Sequence, residues 1–485
     1  MKRFFSITLP ALLVGACLRL FFVLKFPLVS GDASLYEQLA GNWLKWGQYA
    51  LQLNGQITPV DVRMPGYPAF LALVYAITRR TADSARLPVM LVQIVVDLAT
   101  CVIVALLAAS LARVAGQEAK ANRAYTAGLW LAVLCPFTAN YTATILTEVW
   151  SIFLTAVAFL LLVPVATDAF AKPLAILTRR QVWQWGALAG FVVGLGTLFR
   201  PETPLLLVTT FAVIGHWMAR RGAAGRWIKL CTFMALGCGA ALLPWTVRNA
   251  VSLHEFQPLA PKNTNLPSEL DAKGFLAWEK TWMYRMRDAY QVAWKLNDEE
   301  IHLDDIPTSA FDTPDEHARV AMVLERYNDD VTWTPEEDAM FAQLAQERTA
   351  RHPIRTYLRI PLLRAIVIWF SPRIELLPVS GHVFPLAYQW EEDPVDQRLT
   401  ILIFLANLFY LGLALWGTWR IWKYRRAHVA VAVLLAYILV RTAFLTTMET
   451  PEPRYVLECF PAVIALAAQA FWKPNPDQES VRFAN

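Results

Sequence analysis

Charge is what this sequence has least of. Only 17% of its 485 residues are Asp, Glu, Lys or Arg, where a soluble domain carries about 25%. That shortfall, beside 56% hydrophobic residues and 19 tryptophans, excludes an ordinary soluble chain and points to a polytopic membrane protein. Paired cysteines are missing too. The six cysteines (Cys17, Cys101, Cys135, Cys231, Cys238 and Cys459) lie in or beside apolar runs and none forms a CxxC pair. They read as small buried residues, which leaves no disulfide framework or metal knuckle. There is no internal repeat and no low-complexity tract. The net charge of +5 does not point to nucleic acid, because the basic residues sit in short loops beside apolar runs, where membrane orientation accounts for them.

What is present is a series of apolar runs, and a crossing helix needs about 20 such residues. About ten are expected, near 4–25, 87–111, 124–142, 148–166, 184–200, 203–219, 228–247, 398–419, 427–446 and 455–472. Val14-Gly15-Ala16-Cys17 loosely resembles a lipoprotein cleavage box, but the first run continues through Leu24, so a retained spanning helix is expected. Segment 67–77 is too short to cross. Lys2/Arg3, Arg113/Lys120/Arg123, Lys172/Arg179/Arg180, Arg220/Arg221/Arg226, Lys423/Arg425/Arg426 and Lys473 fall at alternate loops. By the positive-inside rule those loops and both termini are cytoplasmic, and the intervening loops face outward.

Two outward stretches follow from that arrangement. In the first, 31–68, Leu35, Leu39, Trp43, Leu44 and Trp46 recur at near-helical spacing among polar residues, as in a helix lying on a membrane surface. Asp32 precedes that helix and Arg63 follows it, both at the water boundary. The second, about 249–397, is the candidate extramembrane region. From Asp298 to Asp338 it holds fourteen Asp or Glu against two Arg, which reads as a solvated face, with acceptor docking or cation binding as the alternative. Thr313-Pro314-Asp315-Glu316 and Thr334-Pro335-Glu336-Glu337 have the pattern of capping boxes, the second opening a helix that runs to Arg351. Segment 354–371 carries Arg355, Arg359 and Arg364 on an apolar helix: either a juxtamembrane helix touching phosphate groups or a further span. The expected organisation is a catalytic transmembrane core over 1–247 with a first outer loop at 26–86. An extracytoplasmic loop region over 248–397 and C-terminal transmembrane helices with a cytoplasmic tail over 398–485 complete it.

Ionisable residues recur at the outer ends of the expected spans: Glu148, Arg200, Glu202, Arg248 and Arg454, on the same side as Asp32 and Arg63. Charges at this depth are costly unless paired or facing a wet cavity, so a one-sided set marks a candidate site, although single arginines also snorkel to headgroups. Two acids, Asp32 and Glu148, with several arginines suit a transfer with an anionic leaving group. Arginines would hold a phosphate, and an ionised Asp32 would accept a proton from an attacking hydroxyl. Gln93 and Asp97, four apart within a span, read as helix–helix contacts or as neighbours of the site.

In order along the chain, Gly31-Asp32, Arg63-x-Pro-Gly-Tyr67-Pro, Arg200-Pro201-Glu202, Pro244-Trp245-x-x-Arg248-Asn249 and Arg454-Tyr455 resemble the polyprenyl-phosphate-sugar-dependent glycosyltransferases of family 39 and its relatives, in the C-type superfamily of integral membrane enzymes. The resemblance implies an all-α polytopic membrane fold with juxtamembrane helices and an extracytoplasmic helical loop domain. It implies transfer of a single sugar, hexosyl or pentosyl, from a lipid-phosphate carrier to a lipid, glycan or protein hydroxyl at the outer face of the plasma (inner) membrane, in the manner of a cell-envelope mannosyltransferase. Asp32 is similar to the family's catalytic or metal-contacting aspartate. Arg63 matches a position implied to contact donor phosphate, and Glu148 falls where relatives carry a second acid. Tyr67, Arg200, Glu202, Arg248, Arg454 and Tyr455 complete the implied substrate-binding set. Many relatives have another acid directly after the first. Ala33 stands there, so one carboxylate ligand of the usual divalent-metal pair is missing, unless Glu148 or Glu202 replaces it. A flippase or other transporter of lipid-linked glycans, which would want mid-membrane polar residues and repeat symmetry, and a ligase or polymerase of such glycans are the competing readings.

Overall fold

Seven helices are long and apolar enough to cross a membrane among the described residues of this computed structural model, which are 2–29, 31–168, 179–261, 270–374, 376–381, 383 and 390–472. The chain is an all-α multi-pass membrane protein. The seven spans are Ile7–Lys25, Ala82–Val114, Glu148–Thr167, Ala224–Ser252, Pro394–Trp422, Arg425–Leu445 and Pro453–Phe471. Lys172 and Lys473, two of the orientation markers, lie outside the described residues.

In chain order the main helices are α1 (Lys2–Lys25), α2 (Gly31–Trp46), α3 (Gly66–Thr78), α4 (Arg86–Val114), α5 (Glu118–Val133), α6 (Glu148–Asp168), α7 (Arg179–Thr197), α8 (Leu205–Ala219) and α9 (Ala224–Ser252). The three further spans expected from sequence fall on α5, α7 and α8, which are helical but miss the length or composition of a crossing. α5 ends just before Pro136, which has no N–H to continue a helix. α7 opens with Arg179, Arg180 and Gln181. The 15 residues of α8 reach about 22 Å at 1.5 Å per residue, short of a hydrocarbon core about 30 Å thick. α3 is likewise short and apolar, at 13 residues.

α7 lies against α9 through glycine. A Cβ on Gly190 would stand 2.0 Å from the Met234 carbonyl oxygen, so only a residue without one allows this approach. The same logic fixes Gly66. Its amide donates to the Leu198 carbonyl at 2.6 Å, and a Cβ there would come 2.5 Å from that oxygen. This contact ties the segment after Arg63 to the end of α7.

The stretch 31–68 is not helical throughout. α2 starts at Gly31, so Asp32 lies inside its first turn, where a carboxylate is favoured by the helix dipole. After α2 comes a hairpin of β1 (Ala50–Leu53) and β2 (Gln56–Pro59), with Leu53 opposite Gln56. Asn54 and Gly55 form its two-residue turn, both at positive φ (49° and 81°), as a type I′ turn requires. Asn-Gly is a hairpin signal that the helical reading of this stretch passes over. Tyr49, Leu51, Val60, Val62 and Met64 pack the hairpin onto Leu39 of α2 and Trp245 of α9.

Residues 272–345 build a separate core around Phe275, Trp278, Trp282, Trp333 and Phe341, with helices α10 (Pro314–Asp330) and α11 (Pro335–Arg351). Thr334 and Glu337 form a reciprocal capping box. Thr313 accepts from Glu316 N, but the Glu316 carboxylate instead takes the Asp312 amide and two arginines, so only half a box forms. The acidic run is thus partly structural: Asp338 accepts from the amides of Gly274 and Phe275. Segment 354–371 leads into α12 (Ile360–Phe370) and meets no criterion for a span. Ile354, Leu358, Leu362, Ile366 and Phe370, each four apart, expose an apolar stripe. Two of its three arginines turn into protein. Arg355 grips Asp312 in a bidentate pair, and buried Arg364 donates to the carbonyls of Met283, Thr446 and Met448. Helices α13 (Pro394–Trp422), α14 (His428–Leu445) and α15 (Phe460–Ala467) close the bundle.

Candidate active site

The loops that end the hairpin and α7 meet the first turns of α2 and α6 and the segment before α15. The side chains there form a continuous chain of ion pairs. It begins at Asp32, whose Oδ1 accepts from Arg63 Nη2 at 2.9 Å and whose Oδ2 is 3.9 Å from Arg454 Nη2. Arg454 pairs with Glu452 and stands 3.7 Å from Glu148 Oε1, which itself accepts from Arg200 Nη2 at 2.6 Å. Arg200 Nε lies 3.3 Å from Glu458, and Glu458 lies 2.9 Å from Arg441 Nη2. Arg441 Nη2 is also 3.2 Å from Glu202. Exposure falls along this chain, from 34% for the Asp32 side chain and 21% for Arg63 to 0% for Arg441. One end is wet and the other is sealed.

Local structure explains why each group points inward. The Arg63 backbone runs between buried Val62 and Met64, and Tyr49 donates its hydroxyl to the Arg63 carbonyl at 2.9 Å, so the guanidinium projects toward Asp32. Glu148 heads α6, where the helix dipole favours an acid. Tyr455 donates its hydroxyl to Glu452 at 2.9 Å, and its ring lies under both guanidiniums, 4.9 Å from Arg200 and 5.2 Å from Arg454. Such cation–π stacking holds a guanidinium flat while leaving its edge N–H groups available.

Burial by itself would push the Asp32 carboxyl up. The charge and hydrogen bond of Arg63, with Arg454 and Arg200 behind it, outweigh this and hold the group below the usual carboxylate range. Asp32 is therefore ionised at neutral pH. For Glu202 burial is again opposed, here by Arg441 and Arg200, and the carboxyl is likewise lowered. Hydrogen-bonding capacity in the middle of the chain is left over. Glu148 Oε2, both Glu458 oxygens and the Nε atoms of Arg200 and Arg454 are buried with ion-pair neighbours but no hydrogen bond.

The expected site residues are not all gathered here. Asp32, Arg63, Glu148, Arg200, Glu202, Arg454 and Tyr455 meet in the chain. Tyr67 does not: it is fully buried beneath Tyr36, with rings 5.2 Å apart, and donates to Gln93 Oε1 at 2.8 Å. It supports the floor from within the protein. Arg248 also stands outside the chain. It donates to the Tyr49 and Val60 carbonyls and lies over the Tyr49 and Trp245 rings, clamping the hairpin. Arg441 and Glu458 go unnoticed in the sequence reading, although each is a lone charge inside an apolar run, the pattern that marks a paired or functional group. Gln93 donates to the Thr142 and Thr144 carbonyls, and Asp97 pairs with Arg19 at 2.6 Å, so both act as contacts between helices.

Beside the chain lies a groove of about 740 Å³ between α7, α9 and the hairpin. Its walls include Pro65 and Gly66, just past Arg63, and Leu195 and Leu198, just before Arg200, with Arg248 at its polar edge. A divalent cation does not fit this donor set. Each carboxylate faces a guanidinium, Ala33 is buried in α2, and no three His, Cys, Asp or Glu side chains converge among the described residues.

No family model and no curated protein matches the chain. Solved structures similar to it include the oligosaccharyltransferase AglB from Archaeoglobus fulgidus in complex with an inhibitory peptide and a dolichol-phosphate. There the identity is 13% and the TM-score 0.48, over 96% of this chain and 50% of that one. ArnT from Cupriavidus metallidurans bound to undecaprenyl phosphate is similar at 13% identity and TM-score 0.40, over 91% of this chain and 77% of that one. The chain spans about half the length of the archaeal oligosaccharyltransferase structures it matches.

Proposed function

We propose that this chain is an integral membrane glycosyltransferase of the C-type superfamily, moving one sugar, hexosyl or pentosyl, from a polyprenyl-phosphate carrier to a hydroxyl on a lipid, glycan or protein. In this reading the site faces the extracytoplasmic side of the plasma (inner) membrane, and both termini are cytoplasmic. The observation that carries the proposal is the junction of Asp32 with Arg63 and Arg454, partly exposed at one end of a buried charge chain and beside an apolar groove. It offers one base, an anion cradle and room for a lipid chain within a few residues of each other.

The acceptor hydroxyl gives its proton to the Asp32 carboxylate as its oxygen bonds to the anomeric carbon. The bond from that carbon to the phosphate oxygen breaks, and its electron pair leaves with polyprenyl phosphate. Arg63, Arg454 and Arg200 hold the charge that develops, an electrostatic contribution that counts for most away from bulk water. While Arg63 binds Asp32 the carboxylate is a weak base. A donor phosphate that draws the guanidiniums to itself relieves Asp32 and raises its basicity as the substrate arrives. Glu148 and Tyr455 hold the arginines rather than the sugar. The transporter reading draws on polar groups at mid-membrane depth, and Gln93 and Asp97 are already taken up by internal partners.

The test uses purified full-length protein in nanodiscs, a panel of polyprenyl-phosphate sugars and membrane extract as acceptor source, with released polyprenyl phosphate as the readout. Release from at least one donor is expected. No release from any donor would overturn the proposal and favour transport.

A further inference from the structure

Arg441 lies within an apolar helix, α14, wholly shielded from solvent. Apart from the Tyr437 hydroxyl on its own helix, the groups it touches belong to segments that also carry an arginine of the candidate site. Its Nη2 stands 3.2 Å from Glu202, two residues from Arg200. The same nitrogen is 2.9 Å from Glu458, and Nε donates at 3.1 Å to the Tyr455 carbonyl, next to Arg454. Both acids are shared with Arg200: Glu458 Oε1 is also 3.3 Å from Arg200 Nε, and Glu202 Oε1 is 3.7 Å from Arg200 Nη1.

The charges along the chain explain why this sharing matters. Asp32, Glu148, Glu202, Glu452 and Glu458 make five acids against Arg63, Arg200, Arg441 and Arg454, four bases. The arginines are already outnumbered, so any carboxylate that Arg441 does not hold turns to Arg200, its nearest other cation. An anion arriving at Arg200 then competes with that carboxylate. We propose that Arg441 is a positioning residue: by sharing Glu202 and Glu458 with Arg200 it weakens their hold on that guanidinium and leaves Arg200 more open to an anionic group, which on the function proposed above is the donor phosphate. It touches no substrate itself.

Polyprenyl phosphate is the probe, and its affinity for the full chain in nanodiscs is the readout. Arg441→Met weakens binding by about tenfold or more, the scale of a lost charge-assisted contact. Adding Glu458→Gln to that variant brings affinity back to within about threefold of wild type, since the carboxylate that captures Arg200 is gone. Glu458→Gln alone leaves Arg441 its contact with Glu202 and tightens binding, an effect that a purely structural contact does not produce. Affinity unchanged or weaker in Glu458→Gln, or a double variant as weak as Arg441→Met, overturns the inference while wild type still binds. A wild type that binds no polyprenyl phosphate overturns the proposed function and this inference together.

Discussion

In the core built from residues 272–345, buried Arg348 donates to Glu316 at 2.7 Å, to the Thr281 hydroxyl at 2.8 Å and to the Ser309 carbonyl at 3.2 Å. Both Glu316 oxygens and both Asp312 oxygens are hydrogen-bonded, by Arg348, Arg351, Arg355 and the Asp312 amide. Along the Asp32–Arg441 chain the same residue types are just as buried, yet Glu148 and Glu458 keep oxygens with no hydrogen bond. Burying polar groups without partners costs stability, and leftover capacity suits a ligand site. It does not mark one by itself, because Glu279 in the core of residues 272–345 and Arg355 Nε beside Asp312 also lack hydrogen bonds. In the Asp32–Arg441 chain the leftover capacity coincides with partial exposure at Asp32 and Arg63, and that combination is what separates the two clusters.

Substitutions can break that contrast or sharpen it. Arg348→Met should have the largest effect, because it removes the fully buried one of the two arginines that hold Glu316 and also strips the Thr281 hydroxyl and Ser309 carbonyl of their donor. A loss of about 3–5 kcal/mol is expected, read as lost hydrogen-exchange protection across residues 272–351. Arg454→Gln should act mainly on ligand, weakening polyprenyl-phosphate binding by about 10- to 100-fold with a smaller loss of stability than Arg348→Met, because Glu452 keeps the Tyr455 hydroxyl. Equal loss of stability in both variants would erase the distinction between the clusters.

A third expectation concerns pH. Asp32 must be ionised to act as a base and its carboxyl is held low, so activity should persist through mildly acidic pH and fail only as pH drops through the depressed value. Arg63→Gln removes the main stabilising charge, so the acid limb of kcat/KM should move to higher pH. A limb that stays in place would remove Arg63 as the cause. The smallest effect belongs to Glu279, buried with both oxygens unpaired and its carboxyl pushed up to about 8 by burial against the opposing pull of Arg364. Between its ordinary range and about 8 the folded state keeps a proton that the unfolded chain has lost, so stability declines as pH rises through that window. Glu279→Gln should flatten the decline in a series of melting curves, and an undiminished slope would assign it to other groups.

Much of the fold is legible in the sequence because apolar runs of membrane length need no partner to be recognised. The capping box at Thr334 and the end of α11 at Arg351 are equally local and visible. The candidate site is legible where topology puts charges on one side: Asp32, Arg63, Glu148, Arg200, Glu202 and Arg454. What fails is what depends on contacts distant in sequence. Arg248 reads as a ligand-binding arginine and does line the groove, but only the hairpin, 188 residues before it along its bond to Val60, shows that it is also a clamp. Arg355 and Arg364 look membrane-facing because their partners, Asp312 and the Thr446 and Met448 carbonyls, lie on other elements. Arg441 and Glu458 are hidden by the apolar runs that carry them.

The most direct test of the account compares wild type with Asp32→Asn at saturating polyprenyl-phosphate sugar, measuring single-turnover release of polyprenyl phosphate and donor affinity in the same nanodiscs. Release should fall by about 10²–10⁴-fold, the usual worth of a positioned general base, with donor affinity held or improved because Arg63 and Arg454 lose their competing carboxylate. Release at the wild-type rate would contradict it, and Asp32 would then be no more than another partner in the charge chain.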